Sequence, residues 1–66
     1  SMEPYVLRPE QAAKALQTSK ANILNQLKSG EIPAYKDGSE WKIPVESLQR
    51  HITERAESEA KNRRKT

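Results

Sequence analysis

A chain of 66 residues, 33% apolar and with only three aromatic side chains (Tyr5, Tyr35 and Trp41), can close one thin core and leaves no room for a second domain. The absence of Cys excludes disulfides and thiolate metal sites and suits a reducing cytoplasm. A lone His51 excludes His-rich zinc sites, and no apolar run approaches the roughly 18 residues of a membrane span. The net charge of +3 favours an anionic partner without requiring one: residues 31–50 hold three basic and four acidic side chains, whereas residues 51–66 hold five and three and close on "KNRRK".

Ser1 ahead of Met2 has the form of a tag-cleavage remnant, so Met2 is taken as the native start, with no leader expected. "YVL" at 5–7 is a short extended stretch available as an extra strand. Pro9 then suits the first position of a helix, Glu10 suits its first turn, and Ala12, Ala13 and Leu16 recur at helical spacing, which predicts a helix over 9–16. Gln17 and Thr18 make the turn. Ser19 stands where an N-cap belongs, able to accept from the backbone N–H of Ala21 or Asn22, and Gly30 stands where a left-handed C-terminal cap belongs. A second helix of about ten residues lies between them.

Two short helices joined by a tight turn are the skeleton of a helix-turn-helix. In the second, Ile23, Leu24 and Leu27 share a core-facing side, and Ala21, Asn22, Asn25, Gln26, Lys28 and Ser29 are assigned to the opposite side. That outward side is rich in amides and poor in charge. Base reading and ordinary solubility account for it equally well at this point.

In "AYKDGSEWKIP", Asp37-Gly38 is a strong two-residue hairpin signal. A type I′ turn there pairs Lys36 with Ser39, Tyr35 with Glu40, Ala34 with Trp41 and Ile32 with Ile43. Ile32, Ala34, Trp41 and Ile43 then share a core face, and Pro33, Tyr35, Glu40 and Lys42 share the other. Trp41 is therefore expected in the core, with the tip of the hairpin projecting. Val45, Leu48 and Ile52 begin a third helix whose stripe fades to Ala56 and Ala60. Glu46/Arg50, Arg50/Glu54, Arg55/Glu59 and Glu57/Lys61 are spaced to support it by a few tenths of a kcal/mol each. The domain is placed at 2–54. Residues 55–66 are expected to form a charged helical extension ending in a disordered basic tail.

The ordered pieces Glu10/Ala12/Ala13, Ser19, Ser29-Gly30-Glu31-Ile32-Pro33-Ala34, Trp41-Lys42-Ile43-Pro44 and Leu48 resemble the excisionase-like, MerR-related DNA-binding domains over residues 5 to about 52. The resemblance implies an α+β fold, a small winged helix-turn-helix with a two-stranded wing, room for a third short strand, and a C-terminal helix. It departs from the family pattern at Arg8, where Ser or Thr is usual as a cap, at Gln17, where a turn Gly is common, and at Asn22, Asn25 and Gln26 on the recognition helix. Asp37 and Glu40 replace the basic residues that would grip phosphate best on the wing.

With the second helix in a major groove, Ala21, Asn22, Asn25 and Gln26 are the candidate base contacts. The two amides Asn25 and Gln26 are able to pair with adenine, and the Ala21 methyl with that of thymine. Ser19, Lys20, Lys28, Ser29, Tyr35, Lys36, Ser39 and Lys42 are the candidate backbone contacts, each taken alone being an ordinary solvated side chain. Catalysis has little to stand on: neither a nucleophile set, a Gly-rich phosphate loop, a metal site nor a cofactor is expected. The resemblance implies an accessory factor, cytoplasmic and nucleoid-associated in a prokaryote, that binds and bends double-stranded DNA to direct a site-specific recombinase (integrase) of a mobile element. It would act with cooperative self-association on DNA. The alternatives are a small transcriptional or plasmid regulator with the same contacts and a winged helix that docks protein. The tail is expected to order only against the recombinase or a neighbouring copy.

Overall fold

A computed structural model describes residues 5–65, so the assigned native start and Thr66 lie outside the described residues. The chain runs β1 (Val6–Leu7), α1 (Pro9–Ala15), α2 (Lys20–Ser29), β2 (Tyr35–Asp37), β3 (Glu40–Pro44) and α3 (Val45–Lys65). The strands form one antiparallel sheet in the order β1-β3-β2, so "YVL" does supply the third strand, with Val6 opposite Pro44 and Leu7 opposite Ile43. This is a small winged helix-turn-helix. Ala12 and Ala13 of α1, Ile23 and Leu27 of α2, Ile32, Ile43 of β3 and Leu48 of α3 make the core, with Leu7, Leu16, Leu24, Ala34 and Trp41 packed around it.

The two helices of the motif end in the same way. At the end of α1, Thr18 N–H donates to the Ala13 carbonyl at 2.9 Å and Gln17 N–H to that of Lys14 at 3.2 Å. At the end of α2, Glu31 N–H donates to the Gln26 carbonyl at 2.9 Å and Gly30 N–H to that of Leu27 at 3.2 Å. This paired pattern needs a left-handed residue after the helix, which is Gly30 (φ 84°) in one case and Gln17 (φ 55°) in the other. Glycine adopts that conformation without strain, whereas a residue with a Cβ does so at a cost.

At the N-termini, Ser19 Oγ accepts from Asn22 N–H at 3.1 Å. Arg8 caps α1 with extended backbone but has no acceptor on its side chain; instead Gln11 Oε1 accepts from Arg8 N–H at 2.9 Å, the returning half of a capping box.

The hairpin register differs from the expectation. Its turn is Gly38-Ser39, so Asp37 pairs with Glu40, Lys36 with Trp41 and Tyr35 with Lys42. A type I′ turn on Asp37-Gly38 would need positive φ at Asp37. The hairpin instead places its single positive φ at Gly38 (φ 65°), the first central residue, which is the pattern of a type II′ turn. The slip is two residues, so every side chain keeps its face. Trp41 still lies on the core side, but at the margin, partly exposed, with Lys36 Nζ 5.0 Å from its ring centroid.

The expected disorder after the third helix is also corrected, because α3 continues to Lys65. Gly and Pro are absent after Pro44, the residues are mostly strong helix formers, and Arg55 Nε donates to Glu59 Oε2 at 3.0 Å. Its last turn carries Arg63, Arg64 and Lys65, which complement the helix dipole. At ~1.5 Å per residue the helix is a rod about 30 Å long, anchored to the domain by Leu48.

Replacing Gln17 by Gly removes the left-handed strain and gives back part of the gain as chain entropy, for a net stabilisation of roughly 0.5–1 kcal/mol. Thermal unfolding of Gln17→Gly should show a melting point several degrees higher. A lower one would mean that the Gln17 side chain stabilises the turn by a contact of its own.

Candidate nucleic-acid interface

Ile23, fully buried, fixes the rotation of α2. At about 100° per residue, Ala21 and Asn25 stand roughly 160° from it, Lys28 about 140° and Ser29 about 120°. These four side chains are exposed and form the true outward arc. Asn22 is exposed at the edge of that arc, where its Nδ2 donates to Thr18 Oγ1 at 3.0 Å. Its amide is thus partly engaged. Among the described residues the Asn25 side chain makes no hydrogen bond, leaving both its donor and its acceptor for a partner.

Gln26 does not belong to the outward arc. It is 9% exposed, the one buried polar residue among those described, and stands only about 60° from Ile23, on the flank next to the core that faces α3 across a hollow. Its assignment as a base contact is therefore corrected. A periodicity drawn for α2 alone marks the core side but not how far burial spreads onto the flank beside it.

Among the described residues, hollows border α2 on two sides. On the α3 side, one of about 660 Å³ is lined by Asn22, Asn25, Gln26 and Ser29 of α2 together with His51, Arg55 and Glu59 of α3 and by Glu31. On that side Asn22 and Gln26 also line a further one of about 500 Å³ with Leu16, Thr18, His51, Ile52, Arg55, Ala56 and Glu59. On the hairpin side, one of about 330 Å³ is lined by Lys20 and Leu24 with Arg8, Pro9, Glu10, Ser39, Glu40 and Trp41. All are open to the surface. Arg8 and Arg55 were not among the candidates from the sequence. Arg8 was legible as a cation directly before the first helix, and Arg55 through its spacing of four from His51 and Glu59.

The other candidates fall into two groups. Lys20 and Ser39 meet at the hairpin-side hollow, and Lys28 and Ser29 flank Asn25. The hydroxyls of Ser19 and Ser29 already have roles in the helix, the first as acceptor for Asn22 N–H and the second as donor to the Gln26 carbonyl at 3.2 Å. Lys36 is exposed but held over the Trp41 ring. Tyr35, 52% exposed, and Lys42, half-buried with its Nζ 3.9 Å from Glu40 Oε1, pair across the opposite face of the hairpin. Strand alternation turns them away from the core side, so they are not gathered with the α2 arc.

A family profile described as "Helix-turn-helix domain" matches residues 6–56, most of the chain. The protein belongs to the helix-turn-helix domain family. No curated protein and no solved structure gives a significant match to it. The helix-turn-helix domain is a DNA-binding one, and its match spans all three strands, α1, α2 and the anchored start of α3. No helix among the described residues is long and apolar enough to cross a membrane, and no group of three or more potential metal ligands occurs among them.

Burial separates Asn25 from Gln26 in a way that stability measures without any ligand. Gln26→Ala should lose about 1–2 kcal/mol of folding free energy, and Asn25→Ala should stay within about 0.5 kcal/mol of the parent. Denaturant unfolding of both variants tests this; a larger loss for Asn25→Ala would reverse the assigned rotation of α2.

Proposed function

We propose that the protein binds double-stranded DNA sequence-specifically through α2 and acts as an excisionase-like accessory factor. In this role it bends the DNA and directs a partner site-specific recombinase. The observation that carries the reading is the outward arc of α2: an unengaged amide at Asn25, a methyl at Ala21 on the same side, and Lys28 beside them, on a helix whose rotation the core fixes. In a major groove, the Asn25 amide would accept from adenine N6 and donate to N7, and the Ala21 methyl would pack on a thymine methyl. The site is therefore expected to favour A·T pairs.

Phosphates on one side would meet Lys20, Ser39 and Arg8 at the hairpin, and the backbone N–H groups opening α2 would face a phosphate as helix N-termini do. Tyr35, Lys36 and Lys42 would serve as outer contacts only where DNA bends around the wing. The excisionase role rests on the resemblance of the ordered motifs, and with it come cooperative self-association on DNA, nucleoid association and a cytoplasmic setting. A compact transcriptional or plasmid regulator is the second reading. One observation favours it: α3 is helical through to Lys65, a rod of the kind by which two copies can pair.

Selection from a random duplex pool should enrich an A·T-containing site. On that site Asn25→Ala should bind more weakly by about 1–3 kcal/mol while keeping its affinity for unrelated duplex. Equal losses on both DNAs would remove Asn25 from base reading, and a recombination assay with the host recombinase would then separate the two biological roles.

A further inference from the structure

The basic excess of this chain is confined to one turn of one helix. Residues 1–60 carry eight basic and nine acidic side chains, and Lys61, Arg63, Arg64 and Lys65 alone turn the total to +3. The surfaces around α2 share this balance. Glu10 and Glu40 stand in the hairpin-side hollow with Arg8 and Lys20, and Glu31 and Glu59 stand in the α3-side hollow with Arg55, which is paired with Glu59. Asp37 adds a further acid to the wing.

Duplex DNA carries about one negative charge per 1.7 Å, and its non-specific affinity for proteins comes almost wholly from cations that displace its counterions. A body with one more acidic than basic side chain has little long-range attraction for such a polyanion. Most of the attraction is then left to the last turn of α3.

The fold places that turn where it can act. His51, Arg55 and Glu59 recur every four residues and line one hollow with Asn22, Asn25 and Ser29, so this side of α3 runs beside the outward arc of α2. Arg63 continues the same row, about 6 Å beyond Glu59 along the helix, while Lys61, Arg64 and Lys65 stand on the other sides of the helix end, where their long stems can reach round it. Lys61, Arg63, Arg64 and Lys65 are exposed, and they sit on an ordered helix rather than a loose tail. Ordering this segment on a partner would thus gain little, which removes the main argument for a tail that folds only against protein.

Resting on the DNA-binding reading above, we propose that the last turn of α3 is a second, sequence-independent DNA contact. It grips phosphates beside the groove that α2 enters and supplies most of the protein's electrostatic attraction to DNA. Specificity and attraction are then divided between two helices: the outward arc of α2 offers the unengaged Asn25 amide and a single charge, Lys28, and the end of α3 is charged and carries no base-reading arrangement.

The test is the salt dependence of binding to a duplex with a single site, for the parent chain and for the variant K61Q/R63Q/R64Q/K65Q. Glutamine keeps helix propensity. At ~0.9 per phosphate neutralised, the variant should lower the slope of log Kd against log salt by about two to three units. It should weaken specific and unrelated duplex alike by tenfold or more near ~0.1 M salt, leaving their ratio and the helical circular dichroism unchanged. An unchanged slope overturns the proposal. If helicity falls at constant slope, the four cations serve only the helix dipole. If cooperativity on tandem sites or capture by an acidic protein is lost at constant slope, their partner is protein. A parent chain with no salt-dependent duplex binding would overturn the DNA reading itself, an outcome distinct from a parent that binds and a variant that matches it.

Discussion

Burial of Ile23 in one core with Ala12, Ile32 and Ile43 is the interaction on which the rest depends. Each large aliphatic side chain taken fully out of water contributes about 1.5–3 kcal/mol, and the loss of one from a core costs about 2–5 kcal/mol. For a domain this small that is comparable with the whole stability. Among the described residues the largest side chains that are fully buried are Ile23, Ile32 and Ile43, one each from α2, the segment that follows it and β3. Rotating α2 would expose the first and uncover the other two. The outward position of Asn25 is thus set from inside, by residues that touch no ligand.

The local chemistry around that core serves the same constraint. Ser19 and Gly30 delimit α2 by satisfying its first N–H and last carbonyl groups, so the helix presents a fixed length on both sides of Asn25. The repeated C-terminal motif at Gln17 and Gly30 turns the chain sharply after each helix. At the first it sets α1 against α2, and at the second it drops Ile32 into the core. Strand β3 is central in the sheet and joins the hairpin to α3 without a loop, since Val45 begins the helix directly after Pro44. The Tyr5 carbonyl accepts from Val45 N–H at 2.9 Å, pinning that junction to the start of the chain. The direction of α3, and with it the place of the basic last turn, follows from this junction and from Leu48.

Features governed by neighbouring residues were legible in the sequence. Pro9, Ser19, Gly30 and the alternation in "EWKIP" marked the elements because capping, positive φ and strand alternation act over a few residues. Features governed by elements distant in sequence were not. Gln26 reads as outward on α2 because nothing in that helix announces how far the surrounding fold will bury its flank. The hairpin register was ambiguous because Asp37-Gly38 and Gly38-Ser39 are both acceptable turns, and the choice fell on the one that spares Asp37 a positive φ and sets Lys36 over Trp41. The end of α3 was underestimated because its apolar stripe fades. Helix propensity, charge pairing and a basic last turn sustain it where packing does not. For the site, the residue types were legible but not their grouping: Lys42 and Lys36 look equivalent to Lys20 and Lys28 in sequence and differ only in the faces they occupy.

The central claim is that the outward arc of α2 meets DNA. Amide chemical-shift mapping of the labelled chain, titrated with a duplex recovered by selection, tests it most directly. The largest changes are predicted at Ala21, Asn25, Lys28 and Ser29, with lesser ones at the Gly38-Ser39 turn, at the last turn of α3 and, where the duplex bends around the wing, at Tyr35 and Lys42. Large shifts at Tyr35 and Lys42 with a silent α2 would contradict it and assign binding to the outer face of the hairpin instead.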